Sequence, residues 1–328
     1  MILVTGGAGF IGSCLLAALT ARGQRAIVAD WLDSGDKWRN IARHPPERII
    51  APEVLEEFLA SPDARSLEAV VHLGAISETT ARDGDLVWRS NVELPRRLWD
   101  WCAEARVPFF YASSAATYGA ASGAAAFSDD PLLLGRLRPL NLYGFSKHAF
   151  DRQVQARLAR GEAAPPQWAG LKFFNVYGPN ELHKGSMISV VKVKYDEVAA
   201  GGPVRLFRSD RAGVADGAQA RDFIWVGDVV DVILWLLDNP QVSGLFNCGT
   251  GVARSYLDLA HAVCDAAGQP CDVEFIDMPP ALRGQYQSFT QADMSRLRAA
   301  GYERQFTTLE AGITRYVQGH LLPGEPYL

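Results

Sequence analysis

The chain has 328 residues, 48% of them hydrophobic and 21% charged, and a net charge of -5. At roughly 150 residues per domain that is room for two domains, or for one large α/β unit with an appended lobe, and it excludes a disordered chain, a fibrous repeat and a coiled coil. There is no basic field for a nucleic-acid backbone, no stretch near the ~18 consecutive apolar residues of a membrane span, and no basic signal-peptide region before Gly6.

Ile2-Leu3-Val4 reads as a strand and Phe10 to Arg22 as a helix. Ala26 to Ala29 is a second strand, ending at Asp30, and Arg48-Ile49-Ile50 a short third one. Val54 to Leu59 is helical, and Ala69 to Leu73 is a strand bounded by Gly74-Ala75. One long helical pattern carries Val87, Trp88, Val92, Leu98 and Trp101. Pro108 to Ala112 is the next strand, and Tyr143 to Leu158 the next helix. Strands apolar on both faces, alternating with helices, predict a Rossmann-like, doubly wound parallel sheet covered on both sides, over residues 1–174.

After Leu171 to Phe174 the rhythm changes. Residues Asn175 to Ser186 are rich in Gly, Pro, Asn and His and read as a loop, followed by a helix to about Ala200. Short strands at Arg205-Leu206-Phe207 and Asp222 to Trp225 flank a loop from Ser209 to Ala220. A helix from Asp228 to Leu237 and a strand near Leu245-Phe246-Asn247 follow. A smaller mixed α/β lobe, binding the substrate, is expected over residues 175–328, with some chain crossing back to the first sheet. The low-complexity stretch is alanine-rich, Gly119 to Ala126. Five scattered cysteines (Cys14, Cys102, Cys248, Cys264, Cys271) without a CxxC predict free thiols in a reducing, cytoplasmic compartment. Neither they nor the six histidines have metal-ligand spacing, so no metal is expected.

Thr5 to Gly12 directly follows a strand and opens a helix. It fits GxGxxG at Gly7, Gly9 and Gly12, and TGxxGxxG at Gly6, Gly9 and Gly12. Glycines permit the tight turn, the close approach of backbone to a pyrophosphate and the packing of helix on strand, and the helix N-terminus offers N–H groups to phosphates. With Asp30 ending the next strand, where a carboxylate accepts a ribose hydroxyl, the pattern predicts a dinucleotide site. Lys37, Arg39 and Arg43 follow in the same loop. They either meet a 2′-phosphate or form a solvated basic loop, so NADP and NAD both remain open.

Tyr143 and Lys147 form a YxxxK pair on one helix face. Ser113-Ser114 ends a strand, at the sheet edge where ligands of open α/β folds sit. A tyrosine with a pKa near ~10 is a poor base at neutral pH; an adjacent ammonium and an oxidised nicotinamide both favour its phenolate. That chemistry suits removal of an alcohol proton while hydride leaves.

With these motifs the chain resembles the extended short-chain dehydrogenase/reductase superfamily acting on nucleotide sugars. Matching stretches run from TGGAGFIG through HLGA, NVELPRRL, YASSAATYG, NLYGFSK, FFNVYGP and RDFIWVGDV to FNCGTG. LHKGSM and RGQYQSFTQAD are more restricted, and resemble the branch that epimerises ADP-heptose at C6 for the lipopolysaccharide inner core. The resemblance implies an isomerase, with NADP the usual cofactor, working as a homo-oligomer, often a pentamer. It implies that Phe10, Ile11, Asp30, Trp31 and Lys37 line the adenosine end of the cofactor, and that Leu73, Gly74, Ala75, Ile76, Ser77, Asn91 and Val176 contact the rest. Tyr143 and Lys147 would be base and partner, with Ser114 on the reacting oxygen. Asn175, His183, Lys184, Ser186, Lys192, Arg221 and Tyr286 would face the nucleotide sugar, and Leu206, Phe207, Arg208 and Ser209 would lie beside its ADP.

Inversion at an exocyclic carbon needs a second acid. Oxidation by Tyr143 and the nicotinamide gives a ketone; rotation about one carbon–carbon bond then turns its oxygen away from Tyr143. Lys184 is the candidate, with a surface lysine or a plain phosphate contact as the alternatives. Arg221 suits bidentate diphosphate binding, with an ordinary salt bridge as the alternative. His183 reads as a loop or substrate contact. Two departures from the family stand out: a longer connection from Asp210 to Ala220, and Ala51-Pro52-Glu53 where relatives have polar residues beside the adenine. Rival readings are a 4-epimerase, which needs no second base, and a 4,6-dehydratase, which carries Asp-Glu where this chain has Ala115-Ala116. A redox sensor that binds NADP without turnover is a third, disfavoured by the intact Tyr143-Lys147 pair.

Overall fold

A seven-stranded parallel sheet organises the chain; from one edge to the other its strands are residues 48–50, 26–29, 2–5, 69–72, 109–114, 168–173 and 244–248. The computed structural model describes residues 1–121, 123, 127–210, 213–279 and 287–328. The sheet strands are β1 (Ile2–Thr5), β2 (Ala26–Ala29), β3 (Arg48–Ile50), β4 (Ala69–His72), β5 (Phe109–Ser114), β6 (Trp168–Phe173) and, later in the chain, β10 (Gly244–Cys248). Helices α1 (Phe10–Ala21), α2 (Leu55–Ala60), α3 (Gly84–Trp88), α4 (Leu94–Ala105) and α5 (Leu142–Ala159) connect the first six. Alternate residues of each strand enter opposite cores. Ile2, Val4, Val28, Val71 and Phe110 pack with α1 on one face; Leu3, Ile27, Val70, Phe109 and Tyr111 pack with α2, α4 and α5 on the other. This is the Rossmann-like α/β architecture that the alternating apolar strands predict.

The remaining strands are β7 (Asn175–Tyr177), β8 (Val204–Phe207), β9 (Ala220–Trp225), β11 (Ala253–Ser255) and β12 (Val273–Ile276). They form a mixed sheet of order β11-β9-β7 and a parallel pair β12-β8. Around them lie α6 (Val190–Ala199), α8 (Tyr256–Ala267) and α10 (Leu309–Tyr316), over a third core centred on Tyr177, Leu259, Ile313 and Tyr316. Helix α7 (Val226–Asp238) packs on α1, and β10 pairs in register with β6, so the chain returns to the first sheet. The short α9 (Ser295–Ala299) lies beside β10. Among the described residues no helix is long and apolar enough to cross a membrane.

Two segments differ from the sequence reading. The long pattern through Val87 and Trp101 is split: a π-helical turn, Arg89–Glu93, separates α3 from α4. Pro95 sits at the start of α4 and has no N–H for the carbonyl of Asn91, which a wider turn accommodates. The segment read as a loop holds β7 and a 3₁₀ turn, Leu182–Met187, kinked at Gly185 with φ 53°. Its Gly and Pro content hid three strand residues whose partners in β9 lie far along the chain. Residues 122 and 124–126 of the alanine-rich stretch lie outside the described residues.

Candidate active site

The order of the sheet reverses at β1 and β4, since β2 and β3 continue on one side and β5 and β6 on the other. Ligands of open α/β sheets bind beyond the carboxyl ends of strands at such a switch point. A cleft of about 750 Å³ lies there, lined from the glycine turn to the 3₁₀ turn before α6. Thr5 and His72, ending β1 and β4, are joined by a 2.7 Å hydrogen bond that ties the two strand ends together.

The glycine turn fits a dinucleotide. Gly6 has φ +67°, and a Cβ on it would lie 2.5 Å from the Gly74 nitrogen. A Cβ on Gly12 would lie 2.2 Å from the Gly6 carbonyl oxygen. Gly9 is the N-cap of α1 and supplies no side-chain acceptor, so the first amides of α1 point into the cleft wall without a capping partner. These positions separate by experiment. Gly12→Val drives a side chain into the turn backbone, and is expected to lower thermal stability and abolish cofactor binding together. A Cβ on Gly9 is just 3.1 Å from the Gly6 carbonyl and otherwise open, so Gly9→Val should stay folded and lose cofactor alone. Cofactor content and melting curves of the two variants check this; a Gly9→Val protein with wild-type cofactor affinity contradicts the assignment.

Asp30 is buried at the end of β2. Its Oδ2 accepts the Ala8 N–H at 3.0 Å, and its Oδ1 accepts the Trp31 N–H at 2.8 Å. Lys37 donates to the same Oδ1 at 2.8 Å and to the Trp31 carbonyl at 2.6 Å. Lys37 thus neutralises Asp30 on the cleft wall. Arg39 and Arg43 turn away: Arg39 stacks over Tyr327 at 4.7 Å, and Arg43 pairs with Glu325. Trp31 lies off the cleft wall, half exposed, its indole N–H donating to Glu53 at 2.9 Å. Glu53 therefore does have a task in the Ala51-Pro52-Glu53 stretch, as the anchor of Trp31.

Leu73, Gly74, Ala75, Ile76 and Ser77 line the middle of the cleft, with Phe10, Ile11 and Val176. Asn91 does not reach it. Fully buried in the π turn, Asn91 holds Ile76 by two 2.9 Å hydrogen bonds and Ser146 by one of 3.0 Å, so it acts on the cleft through the Ile76 backbone.

Tyr143, Lys147 and Ser114 meet on one wall. Asn141 caps α5 by accepting the Gly144 N–H at 2.8 Å, which starts the helix just before Tyr143. Burial raises the Tyr143 pKa, and a hydrogen bond with Ser114 opposes it. Burial pushes Lys147 down to about 8, with Asp151 opposing. Asp151 lies one turn beyond Lys147, fully buried, salt-bridged to Lys172 at 2.6 Å and accepting the Ser113 hydroxyl at 2.7 Å. Lys172 also donates to Thr117 at 2.8 Å. This network, unforeseen from sequence, locks α5 to β5 and β6 beneath the Tyr-Lys-Ser wall. Ala115 and Ala116 line the cleft beside Ser114.

The turn 182–187 lines the same cleft, next to the start of α1. Lys184 lies with its ammonium 5.1 Å from the Phe10 ring, half-buried, and burial lowers its pKa with Glu181 opposing. His183 is pushed down to about 4, first by burial and then by Lys37 and Lys184. It is therefore neutral at physiological pH, 3.0 Å from the Asn40 amide, which also donates to the Ala8 carbonyl at 2.9 Å. Asn175 and Ser186 line the cleft mouth.

Several predicted sugar or ADP contacts lie elsewhere. Lys192 points along α6 to Asp196 at 2.6 Å, as the i,i+4 spacing allows. Leu206 is 3% exposed because β8 turns it into the third core. Phe207 follows on β8 off the cleft wall, as do Arg208, paired with Asp277 at 3.8 Å, and Ser209, whose N–H donates to Asp216 at 2.8 Å. Arg221 is buried on β9, its guanidinium 5.8 Å from the Tyr256 ring, and does not line the cleft. Tyr286 lies outside the described residues, as do residues 211 and 212 of the longer connection. Among the described residues no group of three His, Cys, Asp or Glu is arranged to hold a metal ion.

The chain is similar to curated proteins over its whole length. It is 46% identical, over 330 residues and 100% of both chains, to the ADP-L-glycero-D-manno-heptose-6-epimerase of Nitratidesulfovibrio vulgaris strain DP4. It is 43% identical, again over 100% of both, to the protein of that name in Fusobacterium nucleatum. Among solved structures, Helicobacter pylori ADP-L-glycero-D-manno-heptose-6-epimerase superposes with a TM-score of 0.79 at 26% identity, covering 97% of this chain and 95% of that one. Thermus thermophilus UDP-glucose 4-epimerase, solved with NAD, gives 0.76 at 26% identity, covering 97% of each. The model of the NAD dependent epimerase/dehydratase family matches residues 2–249, and to that family this chain belongs.

Proposed function

We propose that this protein is an isomerase interconverting ADP-D-glycero-D-manno-heptose and ADP-L-glycero-D-manno-heptose through a transient 6-keto sugar. The observation that carries the reading is that one cleft is lined by two proton-transfer groups from separate elements: Tyr143 on α5, and Lys184 on the turn 182–187. A 4-epimerase needs just the first. The alanines beside Ser114 leave a dehydratase without its acid–base pair.

A bound nicotinamide dinucleotide would supply hydride transfer in both directions. The glycine turn and the α1 amides would hold its pyrophosphate, and Asp30 its adenosine ribose. Tyr143 removes the C6 hydroxyl proton while the Lys147 ammonium beside it favours the phenolate. Ser114 hydrogen-bonds the reacting oxygen. After the exocyclic carbon rotates, Lys184 protonates the oxygen in its new orientation. Incubating the purified protein with ADP-D-glycero-D-manno-heptose and separating the epimers tests the reading. Conversion to a mixture of the two supports it; inertness toward this sugar with turnover of a UDP-hexose overturns it.

The reading takes NADP as the cofactor. Without Lys37, the Asp30 carboxylate repels a 2′-phosphate; with it, the pair is neutral and an ammonium donor is at hand. Lys37→Ala should therefore weaken NADP roughly tenfold more than NAD, the scale of one hydrogen bond to a charged group. Equal losses for the two, measured by titration, would remove Lys37 from that role. The reading extends to a cytoplasmic homo-oligomer, pentameric by resemblance, that supplies activated heptose for the lipopolysaccharide inner core.

A further inference from the structure

Glu181 is fully buried at the head of the turn that carries His183, Lys184 and Ser186. Both its carboxylate oxygens are taken by the residue at the other end. Ser189 donates its backbone N–H to Oε2 at 2.7 Å and its hydroxyl to Oε1 at 2.6 Å. Ser189 is also the N-cap of α6, accepting the Lys192 N–H at 3.3 Å. One carboxylate thus closes the loop between positions 181 and 189. Inside it, the Lys184 N–H donates to the Glu181 carbonyl at 3.0 Å, and the Ile188 N–H to the Gly185 carbonyl at 3.2 Å.

Two hydrogen bonds from one serine orient a carboxylate but do not neutralise it, and an uncompensated buried charge is expensive. Glu181 has no salt-bridge partner among the described residues. The cation that faces it is the Lys184 ammonium; the Tyr316 hydroxyl of α10 and the Cys14 thiol of α1 face it from the other elements. Around Lys184 itself stand Glu181, the Phe10 ring and His183, which Lys37 helps keep neutral.

We propose that Glu181 is the positioning residue of the second acid/base, closing the Lys184 turn and supplying the negative charge against which the Lys184 ammonium keeps its proton. The proposal rests on the two-base reading above. The mutual influence of the groups agrees with the geometry: burial lowers the Lys184 pKa and Glu181 opposes it, while burial raises that of Glu181 and Lys184 opposes it. A lysine that gave up its proton on burial could not deliver it to a ketone oxygen. Glu181 offsets that tendency from behind the cleft wall, without touching substrate.

The test compares full-length Glu181→Gln, Ser189→Ala and Lys184→Met across neutral and alkaline pH with ADP-D-glycero-D-manno-heptose. Glu181→Gln keeps size and an acceptor oxygen but loses the charge. It should lower kcat at alkaline pH about tenfold with a smaller change in KM, and move the alkaline limb of kcat to lower pH by about one unit, because losing the countercharge releases the proton sooner. Ser189→Ala removes the hydroxyl clamp and keeps the charge, so its limb should stay in place. Independently of turnover, the Lys184 Nζ resonance in ¹⁵N NMR, assigned by its loss in Lys184→Met, should titrate at lower pH in Glu181→Gln. An unmoved limb and an unmoved titration, while Lys184→Met has lost turnover, overturn the role of Glu181 alone. Full turnover by Lys184→Met overturns the two-base reading and this proposal with it. In the unmutated protein the same resonance must be that of an ammonium at neutral pH; a neutral amine there overturns the proposal without any variant.

Discussion

Tyr143→Phe lowers turnover by roughly 10²–10⁴-fold, the range for loss of a positioned general base. The ring stays in place on the first turn of α5, so the wall keeps its shape and cofactor content should match the parent protein. What disappears is the hydroxyl that Ser114 hydrogen-bonds. Burial holds that phenol in its neutral form, so a base at this position depends on Lys147, which is itself pushed down to about 8. Below that pH Lys147 is an ammonium and favours the phenolate; above it that support fades. Steady-state kinetics, with ADP affinity as the binding control, check the prediction. Near-normal turnover by Tyr143→Phe would show that some other group takes the proton.

Lys184→Met should be nearly as damaging. Methionine keeps the approximate length of the side chain and its packing on Phe10, and removes the charge and the proton. If Lys184 merely grips phosphate, KM rises and kcat holds. If it is the second acid/base, kcat collapses by roughly 10²-fold or more while affinity for ADP changes little. A Lys184→Met enzyme with near-normal kcat at saturating substrate would leave Tyr143 to serve both orientations.

The parallel sheet and the phosphate turn were legible because their signals are local. Apolar runs such as Ala69 to His72 and glycines at fixed offsets from a strand need no distant partner to be read. Tyr143 and Lys147 were legible for the same reason, being one helical turn apart. What sequence did not reveal is what depends on distant contacts. Asp151 and Lys172 carry no motif, and their pairing forms when β5, β6 and α5 come together around them. Glu181 and Ser189, Asn40 and His183, and Trp31 and Glu53 are pairs whose purpose exists just in the folded chain. The same limit hid the neighbours of two expected sugar or ADP contacts. Leu206 lies on a strand whose alternation turns it into a core, and Lys192 on a helix where Asp196 is one turn away. The resemblance implies Asn91 as a cofactor contact; in the fold it bonds the Ile76 backbone and Ser146 from the π turn before α4.

In the proposed mechanism configuration inverts by oxidation and re-reduction at one carbon, with only the oxygen-bound proton exchanging with water. The direct test runs the reaction in deuterated water from ADP-D-glycero-D-manno-heptose and examines the L-epimer by mass spectrometry and proton NMR. Hydride return to the same carbon predicts that epimer with hydrogen, not deuterium, at C6. Stoichiometric deuterium at C6 would mean that the carbon itself is deprotonated, and would contradict the mechanism.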